Sequence, residues 1–249
     1  MTEPTGLGAL ASVIAHRGAS GEAPENTVAA LALAADQGAK CVEIDVSISS
    51  DHIPFVHHDD TLDRCTNGSG LLSEQSAESL DKLIANKGNA AYAHEPIPRL
   101  AAVIDLLSQR NIGLNLEIKP QEGLEHDTVE AICKMIESSW PAGLPLVFSS
   151  FSQLSLELVH KRLPAIPRGL LVEELPDNWM QLIERYECCN LHCDASHLTS
   201  DQTKALLSHG LGVYCYTVND VDRAKELLSW GVHGVFTDHP KVMLDSLTS

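Results

Sequence analysis

No apolar run in the 249 residues approaches the ~18 needed for a membrane-spanning helix, so membrane insertion is not expected. Positive charge is also scarce. Seventeen Lys and Arg stand against 34 Asp and Glu, a formal net charge of −17. Such a chain has no bulk attraction for nucleic acid or for anionic lipid. If it handles an anionic substrate, the positive charge must be local: a buried Arg or Lys, a backbone nest or a metal ion. Aromatic residues are few, with 3 Trp, 4 Tyr and 4 Phe, so the core must be built from Ala, Val, Ile and Leu. Seven cysteines cannot all pair within one chain. Scattered in mostly apolar surroundings, they read as buried thiols in a reducing compartment. The mildly apolar stretch Gly6–Ala15 has no basic residue before it and carries Glu3 there instead. It leads directly into a strand pattern, so it is not read as a signal peptide, and a cytoplasmic protein is expected. No G-x-G-x-x-G opens the first helical segment, which argues against a dinucleotide-binding fold.

What is present is a regular alternation. Strand-like runs rich in Val, Ile and Leu occur at Ser12–His16, Cys41–Ile48, Gly113–Ile118, Leu146–Phe151, Arg168–Val172, Leu191–Ala195, Val213–Val218 and Gly234–Thr237, as expected of buried parallel strands. Helical patterns separate them. Asn26-Thr27 caps the first, with Val28, Leu31, Ala32 and Ala35 on one face and Gly38 at its end. Leu100, Val103, Ile104 and Leu107 form another stripe, as do Val129, Ile132, Cys133 and Ile136. Further helices start near Thr199 and end at Gly210, and start at Asn219 or Asp220 and end near Gly231. Strand–helix units of about 30 residues, eight times over, predict an α/β protein with a closed (β/α)8 TIM barrel rather than an open doubly wound sheet. One stretch breaks the rhythm: about 50 residues between strand two and the helix after Arg99. It holds an extended piece (His52–His57), the turn Asn67-Gly68-Ser69-Gly70 and a short helical piece around Ser76–Ala85. It is read as an insertion, residues 49–98, on the second βα loop of one catalytic domain spanning 1–249. Such loops build the active-site face of a barrel.

Four polar clusters fall at or just past strand ends: His16-Arg17-Gly18, Glu43-Ile44-Asp45, His57-His58-Asp59-Asp60-Thr61-Leu62-Asp63-Arg64 and Glu117-Ile118-Lys119-Pro120. Glu43 and Asp45 are two apart on a strand and share a face. Val42, Ile44 and Val46 take the other face, toward the helices. Two carboxylates aimed into a barrel repel each other and are costly to bury unpaired. A hard divalent cation resolves this, because Mg²⁺ or Ca²⁺ takes oxygen ligands. Glu117 adds a third carboxylate from the next barrel strand, and Lys119 shares its face. The plainer alternative is a polar rim of Arg and Lys salt bridges. His16 and His58 are acid–base candidates, since imidazole with a pKa of ~6.5 exchanges protons at neutral pH. The period of the strand does not choose between His57 and His58. Phe151 and Tyr216 sit at strand ends, where an aromatic serves as core or as ligand wall. Cys188, Cys189, His192 and Cys193 lack paired knuckle spacing and read as buried groups rather than a zinc site. His197, His209, His233 and His239 show no partner pattern and are left to surface or core.

Taken together, the clusters resemble the glycerophosphodiester phosphodiesterases. Pro24-Glu25-Asn26-Thr27, Ser150-Phe151, Tyr216-Thr217-Val218-Asn219 and Gly234-Val235-Phe236-Thr237-Asp238-His239-Pro240 extend the likeness along nearly the whole chain, and it is similar to the bacterial cytoplasmic branch. The resemblance implies a TIM barrel with a small insertion after strand two. It implies Glu43, Asp45 and Glu117 as metal ligands and His16 and His58 as acid and base, with His58 preferred because Asp follows it. Arg17 and Lys119 would hold the phosphate, with Glu25 and Asn26 lining the substrate site; the strand-end placement of Phe151 and Tyr216 adds them as substrate-binding candidates. Two positions depart from the family pattern: Cys65 stands where Thr is usual and Tyr216 where Trp is common. The implied reaction is metal-assisted cleavage of soluble glycerophosphodiesters to glycerol 3-phosphate and a small alcohol, attacked by water or by the glycerol 2-hydroxyl. Two other functions compete: a lysophospholipase D, which would want an apolar rim, and a catalytically silent binding barrel. The expected partner is a small glycerophosphodiester, with no nucleic acid and a homodimer left open.

Overall fold

The alternation in Cys41–Ile48 decides which side chains enter the barrel. Val42, Ile44 and Val46 pack outward with Leu31, Ala34, Val103 and Ile104 in one apolar cluster, while Cys41, Glu43 and Asp45 face inward. The computed structural model describes residues 10–86 and 88–247; the first part of the Gly6–Ala15 stretch lies outside them.

The elements are β1 (Val13–His16), α1 (Val28–Asp36), β2 (Cys41–Ile48), β3 (Pro54–Val56), α2 (Ala77–Leu80), α3 (Leu100–Arg110), β4 (Gly113–Ile118), α4 (Glu125–Ser139), β5 (Leu146–Ser150), α5 (Gln153–Arg162), β6 (Arg168–Val172), α6 (Trp179–Tyr186), β7 (Asn190–Asp194), α7 (Ser200–Ser208), β8 (Gly212–Tyr216), α8 (Val221–Ser229), β9 (Gly234–Thr237) and α9 (Pro240–Leu247). The strands run β1-β9-β8-β7-β6-β5-β4-β2, and β1–β2 pairing closes the ring. All of these pairings are parallel. This is the expected (β/α)8 barrel. Among the described residues, no helix is long and apolar enough to cross a membrane.

Four expected strands differ from the observed ones by one or two residues at their ends. The strands expected at Leu191–Ala195 and Val213–Val218 are Asn190–Asp194 and Gly212–Tyr216. Backbone pairing of Asn190 with Gly169 and Gly212 starts the ladder on a polar residue, which side-chain polarity does not reveal. The caps act as their side chains predict. Thr27 accepts from the Ala30 amide, Thr199 forms a capping box with Gln202, and Asp220 rather than Asn219 caps α8.

The barrel interior is layered. Leu10, Ile14, Cys41, Val147, Tyr214 and Phe236 fill its lower part, so polar side chains at the C-terminal strand ends stand on an apolar floor. The insertion has a core of its own, including Phe55, Leu62, Leu72, Leu80 and Ile97. β3 pairs antiparallel with β2, Val46 opposite Val56. The helical piece expected over Ser76–Ala85 is shorter, Ala77–Leu80, because Ile84 pairs with Pro96 and the Ala85 amide bonds Glu95. The His57 amide donates to the Asp45 carbonyl at 2.9 Å, and this bond sets the next residue, His58, beside the β2 carboxylates.

Candidate active site

A cleft of about 530 Å³ opens at the C-terminal strand ends. Its walls include His16, Arg17, Glu43, His58, Glu117, Lys119, Phe151 and Tyr216. Eight of the expected site residues therefore share one cavity. Asp45 lies directly beneath it, 1% exposed.

The turn after β1 builds the first side. Arg17 and Asn26 both adopt positive φ, 56° and 58°, which costs a non-glycine residue energy and persists only where surroundings enforce it. Here they do. The Arg17 amide donates to Glu43 Oε2 at 2.9 Å, and its guanidinium bonds Glu25 Oε1 at 2.8 Å and lies 3.2 Å from Asp45 Oδ2. Asn26 donates its amide to Asp45 Oδ2 at 2.8 Å and accepts the Asp45 N–H at 3.2 Å. Gly18 must be glycine: a Cβ would come within 2.6 Å of the Ala30 backbone.

The three carboxylates meet as their spacing implied. Register places Asp45 opposite Glu117, and one oxygen from each of Glu43, Asp45 and Glu117 lies within 4.8 Å of the others. Burial, then Asp45 and Glu117, push the Glu43 carboxyl well above its ordinary pKa. Burial and Asp45 raise Glu117 to about 7. Asp45 alone is lowered: burial opposes this, but Arg17, His58, Lys119 and the Asn26 amide outweigh it. Lys119 Nζ stands 3.4 Å from Glu117 and 4.0 Å from Asp45, so it is shared rather than given wholly to either. Glu43 Oε1 is buried with no hydrogen-bond partner. Among the described residues, neither Arg17 nor Lys119 forms a side-chain ion pair with Glu43. An all-oxygen donor set with an unsatisfied buried oxygen fits a hard divalent cation, and the rim of simple salt bridges does not account for it.

Each cavity histidine is oriented through Nδ1. His16 donates to Asp238 Oδ1 at 2.7 Å, and His58 donates to Asp59 Oδ1 at 2.6 Å. The hydrogen bond at Nδ1 leaves Nε2 as the proton-exchanging nitrogen in both. Asp238 is itself held by Ser20 at 2.9 Å and Asn219 at 2.7 Å. Burial lowers the His58 pKa, Arg17 and Lys119 lower it further, and Asp45 and Asp59 oppose them. His57 turns away, its Nε2 bonding the Thr61 carbonyl at 2.9 Å.

Two expected substrate contacts sit elsewhere. Glu25 and Asn26 are buried behind the wall and hold Arg17 and Asp45, because the tight turn at Arg17 points their side chains toward those groups. Residues that sequence reasoning left unassigned complete the cleft: Asn115, Leu171, Glu173, Asp194, Thr217 and Phe236. All but Thr217 occupy inward positions of the strands or their immediate extensions, a signal that the period of two carries once the barrel order is known. Phe151, 45% exposed, meets Tyr216 edge-on with centroids 6.1 Å apart. Tyr216 donates its hydroxyl to the Val172 carbonyl at 2.7 Å.

The cysteine–histidine group after α6 does not converge. His192 points into the barrel between Tyr214 and Phe236, and Cys193 points out to Cys215, as neighbours on a strand must. All seven cysteines are free thiols.

The model of the glycerophosphoryl diester phosphodiesterase family matches residues 16–242. A glycerophosphodiester phosphodiesterase of Caldanaerobacter subterraneus subsp. tengcongensis is 32% identical over 235 residues, 94% of this chain and 96% of that one. One from Bacillus altitudinis is 31% identical over 241 residues, 93% of this chain and 96% of that one. The structure of an Oleispira antarctica phosphodiesterase in complex with the product sn-glycerol-3-phosphate superposes with a TM-score of 0.94. It is 42% identical and the match covers 96% of this chain and 98% of that one.

Proposed function

This chain belongs to the glycerophosphoryl diester phosphodiesterase family, and on that premise we propose that it hydrolyses soluble glycerophosphodiesters, such as glycerophosphocholine and glycerophosphoethanolamine, to glycerol 3-phosphate and an alcohol. The observation that carries the proposal is the buried trio of Glu43, Asp45 and Glu117 sharing one cleft with two carboxylate-oriented histidines.

In this mechanism Glu43, Asp45 and Glu117 would hold Mg²⁺ or Ca²⁺, which when bound would supply Lewis acidity and offset phosphate charge. Arg17 and Lys119, on the cleft wall beside the trio, bind the remaining phosphate oxygens and stabilise charge that develops there. One histidine accepts the proton of the attacking hydroxyl at Nε2. The other delivers a proton to the leaving alcohol oxygen as its bond to phosphorus breaks. The attacking hydroxyl is water or the glycerol 2-hydroxyl; the second route forms a cyclic phosphate that water then opens. Phe151 and Tyr216 wall the organic part of the diester. The barrel and its insertion act as one catalytic unit, and the free thiols support a reducing, cytoplasmic setting.

The test offers purified protein glycerophosphocholine and a lysophospholipid side by side with Mg²⁺ or Ca²⁺, and repeats each after chelation. Release of glycerol 3-phosphate from the first, lost on chelation, is expected. Preferential cleavage of the lysophospholipid would move the function to a lysophospholipase D. Turnover unchanged by chelation would remove the metal role, and no turnover of either would leave a silent binding barrel.

A further inference from the structure

One side chain of the insertion touches neither the cleft nor the acid trio, yet it joins the two halves of the machinery. Arg64 donates Nε to Asp59 Oδ2 at 2.6 Å and Nη2 to Asp59 Oδ1 at 2.7 Å. The same guanidinium donates Nη1 to Glu25 Oε2 at 2.9 Å and Nη2 to Glu25 Oε1 at 2.8 Å. It therefore forks onto two carboxylates, one on each edge. Asp59 is the acid that orients His58. Glu25 is the acid that binds the Arg17 guanidinium. The chain of contacts runs His58–Asp59–Arg64–Glu25–Arg17–Asp45, with carboxylates and guanidiniums alternating along its middle.

We propose that Arg64 is a positioning residue that sets His58 and Arg17 at once, so that the insertion after β2 fixes both a proton-exchanging group and a phosphate-binding group. This rests on the function proposed above. The guanidinium plane makes the dual role feasible: it presents donors along two edges in a rigid fork, which an ammonium does not. The alternative, a surface ion pair serving stability, fits poorly. The Arg64 side chain is 44% exposed, and exposed pairs contribute only ~0–1 kcal/mol. Four hydrogen bonds to two carboxylates already committed to site groups instead remove rotational freedom from both. Misplacement of a reacting group by about 1 Å can cost ~10² in rate. The Asp59 carboxyl is pulled well below its ordinary range, by Arg64 first and His58 next, so it stays an acceptor for the His58 N–H at any working pH.

The experiment separates the two arms. Asp59→Asn is expected to lower kcat with KM nearly unchanged, since it acts directly on His58 and leaves the Glu25–Arg17 contact in place. Glu25→Gln is expected to raise KM more than it lowers kcat, since it weakens the Arg17 contact directly while the Asp59 edge of the Arg64 fork stays in place. Arg64→Ala is expected to do both, with kcat down about 10- to 100-fold, the usual loss when an outer-layer partner is removed. Its melting temperature should stay close to that of the wild type. Added guanidinium should restore part of the Arg64→Ala activity and none in Asp59→Asn. Arg64→Lys keeps charge and fold but not the fork, and is expected to stay impaired on at least one parameter. Wild-type kcat and KM in Arg64→Ala, or effects in the double variant Arg64→Ala/Asp59→Asn that simply multiply on kcat, would overturn the inference while leaving the function standing. Wild-type protein inert toward glycerophosphodiesters would overturn the proposed function and this inference with it.

Discussion

The two arcs of the cleft are built on different principles. Along β9, β1, β2, β4 and the insertion, the titratable side chains are oriented by polar partners, His16 by Asp238, His58 by Asp59, Arg17 by Glu25 and Asp45 by Asn26, with Glu43 Oε1 left open among them. Along β5 to β8 the wall is Phe151, Leu171, Glu173, Asp194, Tyr216 and Thr217, and Phe151 stands largely open to solvent. A preorganised arc loses catalytic power when one member moves, because its dipoles are fixed before the reaction starts. An open aromatic arc contributes shape and contact area, which act on ground state and transition state alike. The first arc should therefore govern kcat, with Arg17 bearing on KM as well through its hold on phosphate, and the second should act on KM alone.

The largest effect is expected from the trio. Asp45→Ala removes the acid that Arg17, Lys119 and Asn26 all address, and kcat/KM should fall by ~10³ or more, as loss of several kcal/mol of charge stabilisation implies. Calorimetry with Mg²⁺ or Ca²⁺ should show cation binding weakened in the same variant. Next come His16→Ala and His58→Ala, each expected to lower kcat by ~10² to 10⁴. Steady-state rates near wild type in either would break the assignment of chemistry to this arc.

Smaller effects probe the second arc. Phe151→Ala and Tyr216→Phe should raise KM several-fold and leave kcat within about twofold, the signature of uniform binding. If Phe151→Ala instead lowered kcat as far as His58→Ala does, the division between the arcs would fail. Stability offers an independent check on the trio. Glu43 and Glu117 have pKa values raised above the ordinary carboxylate range, Glu117 to about 7. In cation-free protein their protonated forms stabilise the fold below the unfolded pKa of ~4.3, and this stabilisation is lost as pH rises through about 7 for Glu117. Thermal melts in chelator should therefore show Tm falling as pH rises through that range, with the increase caused by added cation growing in step. A cation effect of equal size on both sides of that range would sink the idea. The smallest effect should come from the barrel floor. Neither ring nitrogen of His192 has a protein partner, and burial lowers its pKa to about 3. Replacing an unsatisfied polar group by an apolar one is nearly neutral or stabilising, so His192→Leu should shift Tm by no more than ~3 °C and leave kcat intact.

Particular residues show where sequence reasoning reaches. The inward face of Glu43 and Asp45 followed from a period of two, and the outward face of Val42, Ile44 and Val46 followed with it. The helix starts at Asn26-Thr27, near Thr199 and at Asn219 or Asp220 were legible because a cap is a local contact, and the structure gives the caps to Thr27, Thr199 and Asp220. Period alone did not choose between His57 and His58; the backbone bond from His57 to Asp45 and the turn of the His57 ring to Thr61 leave His58 as the one that lines the cleft. Glu25 and Asn26, expected to line the substrate site, are buried against Arg17 and Asp45, since a motif shows which residues are near a site and not which way they turn. Asp238 escaped assignment altogether, because its partner lies 222 residues away.

The sequence by itself determined the strand–helix alternation, the aliphatic core and the burial of acids on one strand face, because these depend on spacing between near neighbours. Only the tertiary structure decided how those acids are met. Closing the ring from β9 through β1 to β2 brings Asp238 to His16. The positive φ at Arg17 turns one cation toward the trio, and the fold of the insertion carries Arg64 to Glu25. In a chain of net charge −17 two cations, Arg17 and Lys119, come to the cleft wall from different strand ends, and that placement is a property of distances that no linear spacing contains.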